Sequence, residues 1–298
     1  MQAATNRIYY ALSMRSVIAL QFALASTLAC TNDRPPPAPN AVELVSPGAE
    51  PRRVVRYTVA KGTKATLELA LDLSVTADAM GGAVPTVVNV VELEATESLF
   101  GTVMLQMKVV DVDTRDREGT QIPAVAATGP IAPLRGLVIT GLLTPDGRLS
   151  SIHVTHPAKL PQIDAVQIDA LSRNFAQLTM ALPDDPVGTG ATWKISRPIE
   201  EGGLKMTADT TVQLVKLDGD VLTFTTTARI SGPDQTASQD GVAIEVAHPT
   251  GTGESHGTID LARLVMTGEL AVSFTADMTA AGERSTMKAT SKLVVTPK

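Results

Sequence analysis

The chain predicts a mainly β (α+β) fold, a curved and largely antiparallel sheet packed on one amphipathic helix at about residues 164–182. Three observations predict it. Long runs alternate apolar and polar residues with period two, as half-buried strands do. Turn-forming sequences fall between those runs, at Pro145-Asp146-Gly147, Asp218-Gly219 and Ala281-Gly282. One stretch alone, Ile168, Leu171, Phe175, Leu178 and Leu182, is spaced by threes and fours, the stripe of an amphipathic helix.

From the N-terminus, Arg15 precedes an uncharged, mostly apolar run at residues 16–29. A positive end, a short hydrophobic run and small residues at its close form a signal peptide. The run has 14 residues, against about 20 needed to span a bilayer, so an uncleaved membrane anchor is not expected. Met14, immediately before Arg15, is an alternative start to Met1. The chain's single cysteine, Cys30, follows this run, and Pro35, Pro36, Pro37, Pro39, Pro47 and Pro51 come after it. Such a segment cannot bury a core and favours extended polyproline II, so residues 30–52 read as a tether and 53–298 as the folded domain.

Within that domain, Ala65, Leu67, Leu69, Leu71, Leu73, Val75 and Ala77 alternate with polar residues, Ala70 excepted, and predict a strand with one dry face. The run Val103, Leu105, Met107, Val109 changes phase to Val110 and Val112, which predicts a β-bulge. Asp164 as N-cap, Gln167 in a capping-box position and an Ile163–Ile168 staple mark the start of the helix, and Pro183 its stop. Its apolar face is expected to pack on the dry face of the sheet. Residues 222–230 and 270–278 alternate as further strands. Residues 117–133 and 232–257 read as long irregular segments, the latter with a short strand at 242–246. Gly62-Thr63-Lys64-Ala65-Thr66 is echoed by Gly188-Thr189-Gly190-Ala191-Thr192, which makes an internal duplication the alternative to one continuous domain.

Composition excludes several classes of function. Removing residues 1–29 takes away Arg7 and Arg15 and no acid, leaving 23 basic against 31 acidic residues, a charge near −8. That balance speaks against nucleic acid and against electrostatic docking on anionic lipid. Cys30 is the single cysteine, so an internal disulfide or a multi-thiolate metal site has no residues to use, and if Cys30 carries a lipid no thiol is left for catalysis. Tyr57, Phe100, Phe175, Trp193, Phe224 and Phe274 are the only aromatics after the signal peptide, too few to supply both a core and a stacking platform.

No local motif indicates catalysis. His153 and His156 would point to opposite faces of a strand over 149–155, and His248 and His256 lie far along the chain, so all four read as surface histidines. Asp184-Asp185 between two prolines reads as a solvated turn. Asp111, Asp113 and Asp116 have a calcium-like spacing without the glycine and glutamate of an EF-hand loop. Nucleophile-elbow, phosphate-loop, zinc-helix and dinucleotide motifs do not occur. No cofactor, no metal and no catalytic residue is expected.

Thr27-Leu28-Ala29-Cys30 resembles a lipobox, the recognition site of lipoprotein signal peptidase, with Ala29 and Cys30 fitting and Thr27 and Leu28 departing from its preferred leucine and small residue. Cleavage after Ala23-Leu24-Ala25 is the competing reading and leaves Cys30 a free thiol. With its Pro-rich spacer and the stretch Pro186-Val187-Gly188-Thr189-Gly190-Ala191-Thr192-Trp193, the chain resembles uncharacterised bacterial envelope lipoproteins. The resemblance implies lipidation at Cys30, hence the membrane as partner, and a place in the cell envelope. Thr31, with no aspartate after the cysteine, implies the outer membrane, facing the periplasm or the cell surface. By analogy, the sheet and helix are similar to the half-barrel of periplasmic lipoprotein carriers. The function expected is a non-catalytic lipoprotein whose concave sheet face binds a hydrophobic ligand or acyl chain. The alternative is a scaffold for other envelope proteins acting through its polar face or the 232–257 segment, and an envelope hydrolase ranks below both.

Overall fold

Among the described residues, thirteen antiparallel strands form one sheet whose order follows the chain as two meanders. The computed structural model describes residues 41–78, 80–99, 101–120, 122–155, 175, 179–201, 204–239 and 242–298. The first meander is β2 (Lys64–Ala77), β3 (Met80–Leu99), β4 (Thr102–Arg115), β5 (Val138–Leu143) and β6 (Leu149–Thr155). The second is β7 (Thr192–Glu201), β8 (Leu204–Asp218), β9 (Val221–Ser231), β11 (Val242–Asp260), β12 (Val265–Ala280) and β13 (Glu283–Pro297), with β10 (Gln235–Gln239) paired on β11. Pairing of β13 with β2 welds the meanders together, and β1 (Ala41–Ser46) adds to β7 at one edge. The related pentapeptides open β2 and β7, the first strand of each meander.

Alternation fixes the two faces. In β2 the odd-numbered residues from Leu67 to Leu73 are buried, and across β13 they oppose Pro297, Val295, Leu293 and Ser291. The phase change in β4 is a bulge: Val91 opposes Val109 while Val90 opposes Asp111, so Val110 is the extra residue. At Ala281 and Gly282 both φ angles are positive, 51° and 83°, as a two-residue hairpin turn between β12 and β13 requires.

The sheet coils on itself. Ile139 and Leu143 of β5 share one hydrophobic core with Trp193 and Ile195 of β7, although those strands lie near opposite ends of the strand order. One bend is visible where Gly257 of β11 opposes Gly268 of β12, since a Cβ on Gly257 would meet the Thr267 carbonyl oxygen at 2.2 Å.

Three of the expected segments differ in the structure. The segment expected to be irregular at 232–257 holds β10 and most of β11. The inner face of β11 carries Gly251, Gly253, Ser255 and Gly257, which have no large apolar group to reveal the strand, yet pair along their whole length with β9 and β12. The other irregular stretch, 117–133, holds α1 (Ala124–Ile131), continued by a 3-10 turn over Ala132–Leu134. An Asp116 oxygen accepts from the Ala124 amide at 2.7 Å, and the Thr114 hydroxyl donates to the Ala124 carbonyl at 2.7 Å, docking α1 on the inner face of β4.

Of the amphipathic helix expected over 164–182, residues 164–174 and 176–178 lie outside the described residues. Phe175 is helical and buried, with its ring against Gly141 of β5. Residues 179–182 are not helical. Their backbone is taken by the sheet instead: the Leu182 amide donates to the Asp146 carbonyl at 2.9 Å, and Trp193 Nε1 donates to the Ala181 carbonyl at 3.1 Å.

Candidate functional site

Two non-repetitive straps close one end of the coiled sheet. The first is residues 53–59, where Tyr57 N donates to the Pro145 carbonyl at 2.8 Å and Thr58 N to the Leu261 carbonyl at 3.1 Å. These carbonyls belong to the β5–β6 and β11–β12 turns. The second is residues 179–187, tied to the first by paired backbone bonds between Arg53 and Val187. Backbone groups that a turn would leave orphaned are thereby satisfied.

Under the straps lies a cavity of about 30 Å³, lined by Leu67, Leu69, Val91, Leu105, Tyr57 and Thr179 among others. A water needs roughly 10–15 Å³ on that measure, so the cavity suits one or two waters at most. Its lining is almost wholly apolar. Tyr57 reaches over it and accepts from the Met180 amide through its phenol oxygen at 3.1 Å. Burial pushes the Tyr57 phenol well above its ordinary pKa, so it stays neutral.

Away from the straps the inner face becomes small. Ala208, Ala228, Ala276, Ala289 and Ser291 are buried there, with Gly253 and Ser255 on the neighbouring β11. Thr226 and Ser255 hydroxyls bond to each other at 2.7 Å on this floor. Two buried polar atoms on the inner face have no hydrogen-bond partner among the described residues, Asn89 Oδ1 and Arg197 Nε. Asn89 opposes Leu69 of the cavity wall. Arg197 reaches Thr179 of the same wall, with Nη2 donating to its carbonyl at a long 3.4 Å. Desolvation holds the Arg197 pKa below its ordinary value.

Arg197 was not among the residues the sequence reading picked out. Its surroundings, Lys194-Ile195-Ser196-Arg197-Pro198, carry no motif of their own. The available signal is parity: Trp193, Ile195, Arg197 and Ile199 alternate, and the apolar three are buried.

The acids are dispersed. Glu94, Glu68, Asp72, Asp111 and Glu269 each face a lysine or arginine on the outward side of the sheet. Asp111, Asp113 and Asp116 do not converge: Asp111 pairs with Arg135, Asp113 accepts from the Thr114 amide, and Asp116 caps α1. Asp184 pairs with Arg56 at 2.8 Å. His153 is exposed on β6, His256 is exposed on β11, and His248 is exposed with Nδ1 3.5 Å from Asp277. His156 and Cys30 lie outside the described residues. Among the described residues no group of three or more His, Cys, Asp or Glu could hold a metal ion. No helix among them is long and apolar enough to cross a membrane.

Residues 164–263 match a family of unknown function, DUF6263. The matched stretch runs through β7, β8, β9, β10 and β11 into the β11–β12 turn. Trp193, Arg197 and the glycines of β11 fall inside the DUF6263 match, whereas Tyr57 and the first meander fall outside it. No curated protein matches the chain.

Proposed function

We propose that this chain is a non-catalytic, lipid-anchored envelope lipoprotein that binds a hydrophobic ligand or acyl chain on the concave face of its sheet. The observation that supports the ligand reading is the one-sidedness of the coiled sheet. Its inner face is apolar across both meanders and becomes a floor of alanine, glycine and serine away from the straps. Small side chains on a concave surface leave depth that larger ones would fill. The strap-end cavity is too small for an acyl chain, so the chain would lie along that floor. The anchor rests on Cys30 and the lipobox-like residues before it. Two or more acyl chains on such a cysteine hold a protein stably at a bilayer, and one does so only marginally.

Native mass spectrometry with organic extraction on the full chain purified from bacterial envelopes tests this. The expected result is a discrete co-purifying hydrophobic molecule and a Cys30 adduct of diacyl or triacyl mass. A bare chain mass that takes up no added acyl ligand would overturn the ligand reading.

The scaffold reading has its own observation. The described residues place β1 and β6 at the two ends of the strand order, each paired on one side only. A free edge is a template for a partner's strand. With 232–257 folded into β10 and β11, the edges and not that segment are where such a partner would add.

A further inference from the structure

We propose that Arg197 is the receptor for an anionic head group, so that the ligand is an acyl amphiphile carrying a carboxylate or phosphate. The proposal rests on the hydrophobic-ligand reading above and names the chemical class of that ligand. Arg197 lies on the inner face of β7, in line with Trp193, Ile195 and Ile199, and opposes the small Ala208 of β8. Its guanidinium has five N–H donors, and the described residues give it one long bond, to the Thr179 carbonyl. Nε is buried with no partner.

The arginines elsewhere behave differently. Arg53, Arg56, Arg115, Arg117, Arg135 and Arg148 each sit against a carboxylate. Among the described residues no carboxylate lies within ion-pair distance of Arg197. Its titratable neighbour is Tyr57, whose buried phenol is neutral and supplies no counter-charge. A buried cation without a counter-ion is costly, and the planar guanidinium fork matches a carboxylate or phosphate oxygen pair.

The neighbourhood also says what must accompany the anion. Tyr57 and Thr179, the residues beside Arg197, line the apolar cavity together with Leu67, Leu69 and Leu105. A small hydrated anion would gain only the Arg197 fork there, against an otherwise apolar lining. An amphiphile brings its own apolar surface, with the head group on Arg197 and the tail over the small-residue floor.

Fluorescence titration of the full chain with cis-parinaric acid and with its methyl ester isolates the head-group charge at constant tail. The expected result is that the acid binds about tenfold or more tightly than the ester, in line with the strength of charge-assisted hydrogen bonds. Arg197→Met should bring the acid down to the ester's affinity and leave the ester within about twofold of its starting value. Displacement by palmitate and by lysophosphatidic acid then tells a carboxylate from a phosphate, either of which supports the receptor. Equal binding of acid and ester by the unaltered chain, or a preference that survives in Arg197→Met, would overturn the receptor and leave the hydrophobic-ligand reading standing. Binding of neither probe would overturn that reading as well. If Arg197→Met does not fold, as judged by the emission of Trp193, Arg197→Lys carries the test. It keeps the charge and loses the fork, so the acid-to-ester ratio should shrink, and an unchanged ratio would overturn the proposal.

Discussion

At the strapped end of the sheet, Trp193, Leu214, Leu222 and Leu261 are almost wholly buried, and the 53–59 and 179–187 segments tie two hairpin turns together through backbone bonds. The opposite end is built otherwise. There Ile244, Val246 and Ala276 form a separate small core, with Phe274, Met278 and Leu204 only partly buried around it. Both ends belong to the same strands, and β11 and β12 run the full distance between them. The difference therefore comes from what covers each inner face. Large side chains and satisfied straps make one end a conventional core, and small or half-covered residues leave the other with less apolar surface to hold it closed. Local opening is expected to begin at the second end, because opening free energy follows buried contact and protected backbone bonding.

The largest contrast should come from truncating one buried apolar side chain at each end. Trp193→Ala deletes a fully buried indole together with its bond to the Ala181 carbonyl, and should cost about 3–5 kcal/mol. Ile244→Val, in the small core, should cost about 0.5–1.5 kcal/mol. Urea midpoints at constant slope would measure both. A loss at Ile244 as large as that at Trp193 would break the comparison. Trp193 is the chain's only tryptophan, so its emission reports the strapped end directly.

A second pair sharpens the same point through backbone rather than core. Gly147 and Gly282 both occupy left-handed conformations, φ 84° and 83°, in hairpin turns. A Cβ on Gly147 would meet the Met180 carbonyl oxygen at 2.0 Å and Tyr57 Cε2 at 2.7 Å, whereas one on Gly282 would meet nothing within 4 Å. Gly282→Ala should thus cost about 1 kcal/mol for the left-handed conformation alone. Gly147→Ala should add roughly 1–3 kcal/mol, because the strap must shift to admit the methyl group. Similar melting temperatures for the two variants would mean that the strap is loosely seated.

Much of this fold was legible in the sequence, and the failures share a cause. Alternation located β2, β4 with its bulge, β9 and β12, because each places large aliphatic residues on one face and Thr, Asp, Lys or Glu on the other. It found only the start of β11, at 242–246, and missed the rest, whose inner face from Gly251 to Gly257 is glycine and serine, so that both faces read as polar or small. It missed α1 because Ala-Val-Ala-Ala-Thr-Gly-Pro-Ile has no helical stripe. The end of the expected helix went astray because Leu182 fits a heptad-like spacing by side chain, while its backbone is claimed by the Asp146 turn. Arg197 illustrates the same limit at the candidate site. A charged residue in an alternating run reads as a lapse of pattern, and only the register with Ala208 and the strap at Thr179 shows it to be enclosed.

The smallest expected effect lies on the outer face, where the ends of the two meanders meet. Glu68 of β2 accepts from Lys298 Nζ at 2.8 Å and from Arg115 Nη2 at 2.9 Å, bridging the chain's last residue and β4. The bond from Lys298 is the main reason that its carboxyl is held below the ordinary glutamate pKa, with Arg115 adding to it against a small burial penalty. A depressed folded-state pKa contributes stability above the unfolded value, and that contribution is lost as the pH falls through the lowered folded value. Glu68→Gln should therefore cost under about 1 kcal/mol at neutral pH, as partly exposed ion pairs do. The gap to the unaltered chain should close on acidification below the ordinary glutamate range. Urea midpoints of both proteins from neutral to acid pH would check this. A gap that widens in acid would mean that Glu68 is held by something other than these two cations.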